Sequence, residues 1–385
     1  MPEQLAPQPV ASAVVGPVGA EVRLERLRPG QIRAAMDRAP VAWVPLGSLE
    51  YHADHLPNGT DGIAAHGILV AAAQQLGGVV LPWSYVTIGT LALPWSFRYD
   101  AELVAETLRQ TLRQLPEQGV RLAVVHTGHG PLDLAHLIKR VCAEVEAELP
   151  ALRTYGLCYL ELNAALGTGL GTGWPVAVDH ASTMETSWVS AFEPDLVDTA
   201  ELPDDPAASI VGVYGPNPRF TANAALAATQ IGAASELLAA RAAAMLRGKP
   251  FDTYADLRGF VERYWPEPLA LTGRAGEPGD GAGGAAILIT NAAPVSRYLS
   301  GAQVTLDGRE VPADGMTLIN PTPGEVGRPQ PVAGLGREHG FYVRRQQTAE
   351  LRLPVAVARG SHRLEIRLEL AGVSETRESR SIDFA

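Results

Sequence analysis

Short apolar runs alternate with helical stretches through the first two-thirds of the chain, and this alternation restricts the fold more than any other feature. The run Val41–Leu46 (VAWVPL) precedes a polar loop, after which Asp61 opens a helical stretch. Ala101–Leu115 places its leucines at the spacing of an amphipathic helix. Strands separated by helices predict βαβ units and a mostly parallel sheet, so the fold class is α/β. The predicted strands are Val41–Leu46, Val79–Leu81, Leu122–Val125 and Thr154–Leu160.

The pattern changes after Trp265, where short β-type runs replace the helical stretches. Residues 273–284 (GRAGEPGDGAGG) contain six glycines in twelve positions, which is typical of a linker or an exposed loop. Asp307-Gly308, between two alternating runs, is a strong hairpin signal. We therefore expect a small C-terminal antiparallel β-sandwich domain. The predicted division is a flexible tail at 1–20, a first domain at 21–268, a Gly-rich linker at 269–284 and the β-sandwich domain at 285–385.

Charge and composition exclude several classes of protein. Lys+Arg 31 against Asp+Glu 42 gives a net charge of −11, whereas a surface that tracks nucleic-acid phosphates needs a basic stripe. No apolar run approaches the roughly 20 residues that cross a bilayer, and the N-terminus lacks the basic region of a secretory signal. The only cysteines, Cys142 and Cys158, suit a reducing compartment. We expect a cytoplasmic protein without membrane or nucleic-acid partners.

Seven of the nine histidines lie between His52 and His180, which indicates where the chemistry is concentrated. In the segment SLEYHADHLPNGTD, Glu50 and His52 point the same way if the chain is extended, and Asp61 follows at a helix start. This loop leaves the carboxyl end of a buried strand, where open α/β sheets bind ligands. The pattern is compatible with a metal site, but Asp61 could instead only cap its helix.

Two further segments carry the same residue types. VVHTGHGPLD holds His126 and His129 at the end of another buried strand, and two structural histidines bonded to backbone carbonyls are the alternative interpretation. VDHASTMETSW holds His180 and Glu185, although a carboxylate in a first helical turn is favoured by the helix dipole in any case. Histidines at two independent strand ends favour a shared site over two unrelated ones.

Together these segments closely resemble the creatininase (creatinine amidohydrolase) family, whose motifs occur in the same order. The first motif matches EYHADHLPNGTD (50–61), the second TGHGPL (127–132) and the third HASTMETS (180–187). A fourth stretch, GVYGPNPRFTAN (212–223), looks like the family segment before its last long helix. The resemblance covers about 25–265 and rests on several separated motifs, any one of which would be weak alone.

The resemblance implies a three-layer α/β fold, a two-metal site and assembly as a homo-oligomer, often a hexamer. Asp61 would bridge the two ions, Glu185 would be the last ligand and His180 the acid/base beside the site, so that His180 and Glu185 are the catalytic pair. A hydroxide between ions roughly 3.5–4 Å apart would attack a carbonyl. Mixed histidine and carboxylate ligands suit zinc, manganese or iron. Carried over by position, the metal ligands are Glu50, His52, Asp61, His129 and Glu185. Supporting or packing roles are expected for His55, His66, His126 and His136.

Several positions depart from the family pattern. Creatininases carry a glutamate ligand two residues after the histidine of the second motif, where this chain has Pro131, so that either Glu185 supplies the missing ligand or one metal binds weakly. Asp54 adds a carboxylate that could select a cationic group or belong to a solvated loop. SFRYD at 96–100 replaces the usual G-T turn and predicts a rebuilt pocket wall. Trp174, at the end of a glycine-rich run, is expected to contact substrate from a lid.

The sequence therefore predicts a metal-dependent amidohydrolase that cleaves, or in reverse forms, a C–N bond of a small amide, lactam or formamide. Creatinine itself is disfavoured because of the changed second motif. Two alternatives stay open. One is a metal-poor homologue that acts as a binding or scaffold protein. The other is a metal-dependent lyase or deglycosidase, which draws only on the C-terminal domain and its weak resemblance to the small β-sandwich subunits of C-glycoside deglycosylating enzymes.

Overall fold

The computed structural model describes residues 19–166, 180–264, 270–274, 285–291, 297–319, 330–335, 341–343, 347–370 and 374–384. Contacts divide the chain into two units, Met1–Asp256 and Leu257–Ala385. The second unit thus starts earlier than the sequence-based boundary between residues 268 and 269. A strand at Ala270–Arg274 also lies inside the stretch that the sequence assigned to a linker.

A four-stranded sheet forms the centre of the first unit. Its strands are β1 (Val41–Leu46), β2 (Val79–Val80), β3 (Leu122–Thr127) and β4 (Arg153–Cys158). The order is β2-β1-β3-β4 and every pairing is parallel, which confirms the predicted α/β class. All residues of β1 and β3 are buried, as expected for parallel strands covered on both faces. β4 ends two residues earlier than predicted, because the Glu161 carboxylate accepts the Cys158 N–H at 2.8 Å and a helix starts at Tyr159.

Helices cover both faces of this sheet, which confirms the three-layer fold. The described helices of the first unit are α1 (Pro29–Arg38), α2 (Thr60–Leu76), α3 (Ala101–Gln114), α4 (Leu132–Glu148), α5 (Tyr159–Leu166), α6 (Thr183–Phe192), α7 (Pro218–Thr221) and α8 (Ala224–Leu246). A ninth helix, α9 (Ala255–Tyr264), starts at the end of the first unit and belongs mostly to the second. On one face, α3 and α4 share a core with Ala42 and Val44 of β1. Trp43 points to the other face, where its Nε1–H donates to the Gly77 carbonyl at the end of α2. Helices α2, α6 and α8 pack against one another.

The second unit contains a ten-stranded sheet. Its strands are β5 (Ala270–Arg274), β6 (Ala286–Asn291), β7 (Arg297–Leu306), β8 (Arg309–Val311), β9 (Thr317–Ile319), β10 (Gln330–Pro331), β11 (Phe341–Val343), β12 (Gln347–Arg352), β13 (Gly360–Leu370) and β14 (Ser374–Phe384). Every described pairing is antiparallel except that of β14 with β5, so the predicted antiparallel character holds with one exception. Residues from β6 and β12 share one core with residues from β7 and β13, so the sheet encloses its own interior.

The hairpin at Asp307-Gly308 forms as predicted, between β7 and β8. Asp307 has φ +49° and Gly308 has φ +77°, the two successive left-handed conformations that a type I′ hairpin turn requires. None of the described helices combines the length and the apolar character needed to cross a bilayer.

Candidate metal centre

The three sequence segments converge where β1 and β3 end and where α2 and α6 begin. Glu50 and His52 lie in the loop after β1, and Asp61 is the second residue of α2. His129 follows the end of β3, and Glu185 is the third residue of α6. The structure thus brings together all five residues that the resemblance nominates as ligands, from positions up to 135 residues apart in the sequence.

These residues form two groups that share one carboxylate. In the first, here called the His129 group, Nδ1 of His129 lies 3.1 Å from Oε2 of Glu50 and 2.9 Å from Oδ2 of Asp61. In the second, the His52 group, Nε2 of His52 lies 3.3 Å from Oδ1 of Asp61 and 3.4 Å from Oε2 of Glu185. The ligand atoms within each group all lie within 4.8 Å of one another. Asp61 therefore presents one oxygen to each group, which is the arrangement of a bridging ligand.

The charge and burial of the cluster fit divalent cations. Glu50, Asp61 and Glu185 are exposed by only 1%, 2% and 3%, and buried carboxylates need cationic partners. Oε2 of Glu50 and Nε2 of His52 are buried and have no hydrogen bond among the described residues. Both atoms belong to the groups just described, and a carboxylate oxygen and an imidazole nitrogen without a hydrogen bond are suitable ligands for metal ions.

Without metal, protons occupy the place of the cations. Burial lowers the pKa of His52, but the carboxylates of Asp61 and Glu185 together outweigh burial and raise the pKa to about 10. Burial likewise lowers the pKa of His129, and Glu50 and Asp61 raise it to about 10. Burial raises the pKa of Asp61, but the two histidines outweigh it and hold that pKa well below its usual range. Two imidazolium ions against three carboxylates still leave the cluster formally at −1.

Backbone carbonyls fix which nitrogen of each imidazole faces the centre. Nδ1 of His52 donates to the carbonyl of Glu50 at 2.9 Å, so that Nε2 faces the carboxylates. Nε2 of His129 donates to the carbonyl of Ile88 at 3.1 Å, so that Nδ1 faces them. Such outer contacts orient metal-binding histidines and set their tautomer.

His180 lies beside the His52 group. Its ring centroid is 4.3 Å from that of His52, and its Nδ1 is 4.0 Å from Oε2 of Glu185. Nε2 of His180 donates to the carbonyl of Tyr51 at 2.9 Å, which leaves Nδ1 as an acceptor on the side of the cluster. Burial, together with the positive charge of His52, lowers the pKa of His180 to about 4. A neutral imidazole with a free nitrogen at the centre can accept a proton and return it.

Three further groups hold the carboxylates, and sequence reasoning did not assign them. The Ser48 hydroxyl donates to Oδ2 of Asp61 at 2.6 Å. The N–H of Leu91 donates to Oε1 of Glu50 at 2.5 Å, and the N–H of Ala181 donates to Oε2 of Glu185 at 2.6 Å. Ser48 opens the segment SLEYHADHLPNGTD, two residues before the first motif, and could have been noticed there. The other two are backbone groups, which no side-chain pattern reveals.

The remaining nominated residues lie elsewhere or outside the described chain. The Asp54 carboxylate is exposed and accepts the Tyr51 hydroxyl at 2.9 Å, and it belongs to neither group. Trp174 lies outside the described residues. His55 contacts α6 through the Thr186 hydroxyl at 2.8 Å, so it supports the helix that carries Glu185.

Pro131, which stands where the family has a glutamate ligand, packs against the loop after β2. Gly89 has φ +87°, and a Cβ built there would lie 2.6 Å from Cγ of Pro131. This close packing brings Ile88 and Leu91 to His129 and Glu50. Glu185, not residue 131, supplies the carboxylate that stands with His52 and Asp61.

Replacing Gly89 by alanine is expected to weaken metal binding to the His129 group. The new Cβ collides with Pro131 and displaces the backbone that orients both His129 and Glu50, and loss of such outer contacts costs about 10- to 100-fold in metal affinity. Isothermal titration of the metal-free protein with Mn²⁺ measures the effect. Gly119→Ala is the control, because Gly119 has a similar φ of +83° and open space around it. Equal metal affinity in both variants would contradict the role given to this loop.

The chain is similar in sequence and in fold to several known proteins. A family model described as creatininase, creatinine amidohydrolase, matches residues 25–247, more than half of the chain. The creatinine amidohydrolase of Pseudomonas putida is 24% identical over 186 residues, which cover 44% of this chain and 70% of that protein. A crystal structure of creatinine amidohydrolase (creatininase) is 20% identical, with a TM-score of 0.50, and the match covers 60% of this chain and 99% of the other. A putative creatinine amidohydrolase from Bacteroides fragilis is 22% identical, with a TM-score of 0.49 over 60% of this chain and 99% of the other.

Proposed function

Because the chain belongs to the creatininase family, we propose that it is a metal-dependent amidohydrolase that cleaves, or in reverse forms, the C–N bond of a small amide, lactam or formamide. The observation that carries the proposal is the pair of buried groups that share Asp61. A binding or scaffold protein would not need three buried carboxylates and two oriented imidazoles around one centre.

The proposed ligands are Glu50, Asp61 and His129 for one divalent ion, and His52, Asp61 and Glu185 for the other. Zinc, manganese and iron all suit this donor set. When bound, such ions polarise a carbonyl and lower the pKa of water to about 7. The family has a glutamate ligand where this chain has Pro131. Glu185 is proposed to supply the missing carboxylate, and the Ala181 N–H donates a hydrogen bond to it.

His180 is proposed to carry the proton that the reaction moves. Amide hydrolysis adds water across the C–N bond, so that the acid keeps the hydroxyl and the leaving nitrogen takes a proton. Nδ1 of His180 faces the cluster, because the Tyr51 carbonyl engages Nε2. It can therefore accept the proton of the attacking water and give it to the nitrogen as the bond breaks. His52 and Glu185 beside it are buried, whereas the side chain of His180 is 15% exposed.

Titrating the metal-free protein with Mn²⁺ at pH 8 tests the proposal. We expect two equivalents per chain and release of about two protons, because His52 and His129, with pKa values of about 10, must lose their protons to bind metal. The two histidines keep these protons until the pH approaches 10. Because the protons compete with the metal, metal affinity should rise as the pH increases from 6 to 9. Titrations in buffers of different ionisation enthalpy count the protons.

Single variants separate the two groups. His129→Ala should remove the binding event of the His129 group, and Glu185→Gln that of the His52 group. Ions held only by exposed carboxylates would bind without proton release, and that result, or binding unchanged in both variants, would refute the proposed centre. We also propose a homo-oligomer, with a hexamer as the expected form, which light scattering after size-exclusion chromatography measures.

A further inference from the structure

Exposed large apolar side chains are concentrated in two segments of the first unit. Among the described residues, four of the seven belong to the segment 85–103 and three to the segment 196–214. The seven are Tyr85, Trp95, Phe97, Leu103, Leu196, Val211 and Tyr214. Exposed apolar residues that are scattered singly need no explanation, but a concentration of them marks a surface that binds something.

The first segment is tied directly to the chain around Glu50. The Phe97 N–H donates to the Leu49 carbonyl at 2.9 Å, and the Tyr51 N–H donates to the Ser96 hydroxyl at 3.0 Å. Glu50 lies between these two contacts, and its carboxylate accepts the N–H of Leu91 from the same segment. The turn at residues 93–97, here called the 93–97 turn, is therefore fixed next to a proposed metal ligand.

Trp95 occupies this turn in a conformation that is costly for its residue type. It has φ +60°, in the left-handed region that favours glycine, and its side chain is 75% exposed. The Asn58 side-chain amide donates to the Trp95 carbonyl at 3.0 Å, and the Asn58 carbonyl accepts the Glu50 N–H at 3.0 Å. Strained residues that the surrounding structure holds in place are typical of ligand-binding sites.

The second segment borders the same loop from the side of His180. The backbones of His180 and Tyr214 exchange two hydrogen bonds, and the rings of these residues lie 5.8 Å apart. A Cβ at Gly212 would lie 2.8 Å from the Tyr51 ring, so this segment also packs against the loop after β1. The two segments that carry the exposed aromatic residues therefore both contact the loop after β1, one on either side of Glu50 and the other at Tyr51, and the second also contacts His180.

We propose that the 93–97 turn selects the substrate, and that the substrate's scissile amide carries a planar aromatic group that packs against Trp95 and Phe97. This inference deepens the proposed function and rests on it. Flat rings pack on one another in offset or edge-to-face arrangements, and the indole of tryptophan offers a large rigid face for them. A cationic group is disfavoured, because two divalent ions against three carboxylates leave the centre formally at +1.

A pair of metal-chelating probes tests the inference by binding, independent of turnover. Acetohydroxamic acid and benzohydroxamic acid both chelate divalent ions and differ in the aromatic ring. For the Mn²⁺-loaded wild type we expect benzohydroxamic acid to bind about tenfold more tightly by isothermal titration. In Trp95→Ala the two probes should bind with equal affinity, with the affinity for acetohydroxamic acid unchanged. In Trp95→Phe benzohydroxamic acid should still bind more tightly, but by less than in the wild type.

Leu103→Ala is the matched control, since Leu103 is 52% exposed in the same segment but lies on α3, outside the turn. It should keep the wild-type ratio. Equal affinity of the wild type for both probes, or an unchanged ratio in Trp95→Ala, overturns the inference and leaves the proposed function standing. Dissociation of a wild-type oligomer by Trp95→Ala, with the ratio kept, would assign the turn to a contact between copies of the chain. If neither probe binds the metal-loaded protein, the proposed function fails and the inference fails with it.

Discussion

Replacing His180 by alanine is expected to lower turnover about 10²- to 10⁴-fold, the usual contribution of a positioned acid/base. The loss should appear without loss of metal, because the two groups that share Asp61 are complete without His180. Neither the Tyr51 carbonyl nor Glu185 can replace the imidazole, because the carbonyl has no proton to exchange and the Glu185 carboxylate is a proposed metal ligand. Turnover is measured as amine release from a panel of small amides, lactams and formamides.

Two additional measurements separate proton transfer from other roles of His180. Free imidazole should partly restore turnover in His180→Ala, since it can enter the space that the side chain leaves and perform the same transfer. His362→Ala is the control, because His362 belongs to the second unit and bonds Asp307 and Ala358. Loss of one metal equivalent in His180→Ala would make this histidine a ligand, which its distance to Glu50 and His52 permits, and would contradict the acid/base role.

Replacing Lys139 by methionine is expected to destabilise the first unit by about 3–5 kcal/mol, the cost of leaving one member of a buried ion pair without its partner. Nζ of Lys139 lies 2.6 Å from Oε1 of Glu161, and both side chains are 1% exposed. The same ammonium donates to the carbonyls of Gly156 and Thr253 at 2.9 and 2.5 Å. It therefore joins α4, β4 and the segment after α8. Chemical denaturation measures the change in free energy of unfolding.

The variants around this pair separate the charge effect from the loss of packing. Lys139→Met/Glu161→Gln should recover part of the stability, because no carboxylate then remains buried without a cation. Lys249→Met replaces the only other lysine, which is exposed, and should change the free energy of unfolding little. A double variant less stable than Lys139→Met alone would show that the buried charge is not the cause.

The pH dependence of the Lys139→Met variant has a definite sign. Burial already raises the pKa of Glu161, although Lys139 lowers it in part. Without the lysine that pKa rises further in the folded state, so the folded protein binds more protons than the unfolded one above the ordinary pKa of a glutamate. Stability then falls as the pH rises. The deficit of the variant relative to wild type should therefore be smaller at pH 5 than at pH 8.

The sequence predicts those parts of the molecule that depend on residue type and local spacing. The alternation of apolar runs and helices is enough to predict the parallel sheet, because a buried strand and an amphipathic helix each have their own period. The resemblance to the creatininase family predicts the grouping of Glu50, His52, Asp61, His129 and Glu185, whereas their positions at strand ends and helix starts only favour a shared site. The linker boundary is less predictable, because Ala270–Arg274 becomes a strand through its pairing with β6 and β14, which lie further along the chain.

Other parts depend on groups that every residue carries or on contacts between distant elements. The carbonyls of Tyr51 and Ile88 and the N–H of Leu91 leave no trace in the sequence, because any residue provides them. The pairing of Lys139 with Glu161 joins a helix to the residues after β4, across 22 positions, and no local pattern relates the two. Such contacts become visible only when the fold places the elements side by side.

The reliance of the centre on main-chain groups has an evolutionary consequence. The histidines at 52, 129 and 180 are each oriented by a peptide carbonyl, and two of the three carboxylates accept a peptide N–H. Point mutations at residues 51, 88 and 91 change the side chains but keep these peptide groups, provided that the loop path is preserved. The side chains around the centre can therefore diverge by single substitutions while the ligands keep their geometry. A centre of this kind can change its substrate while the orientation of its ligands and of His180 is preserved.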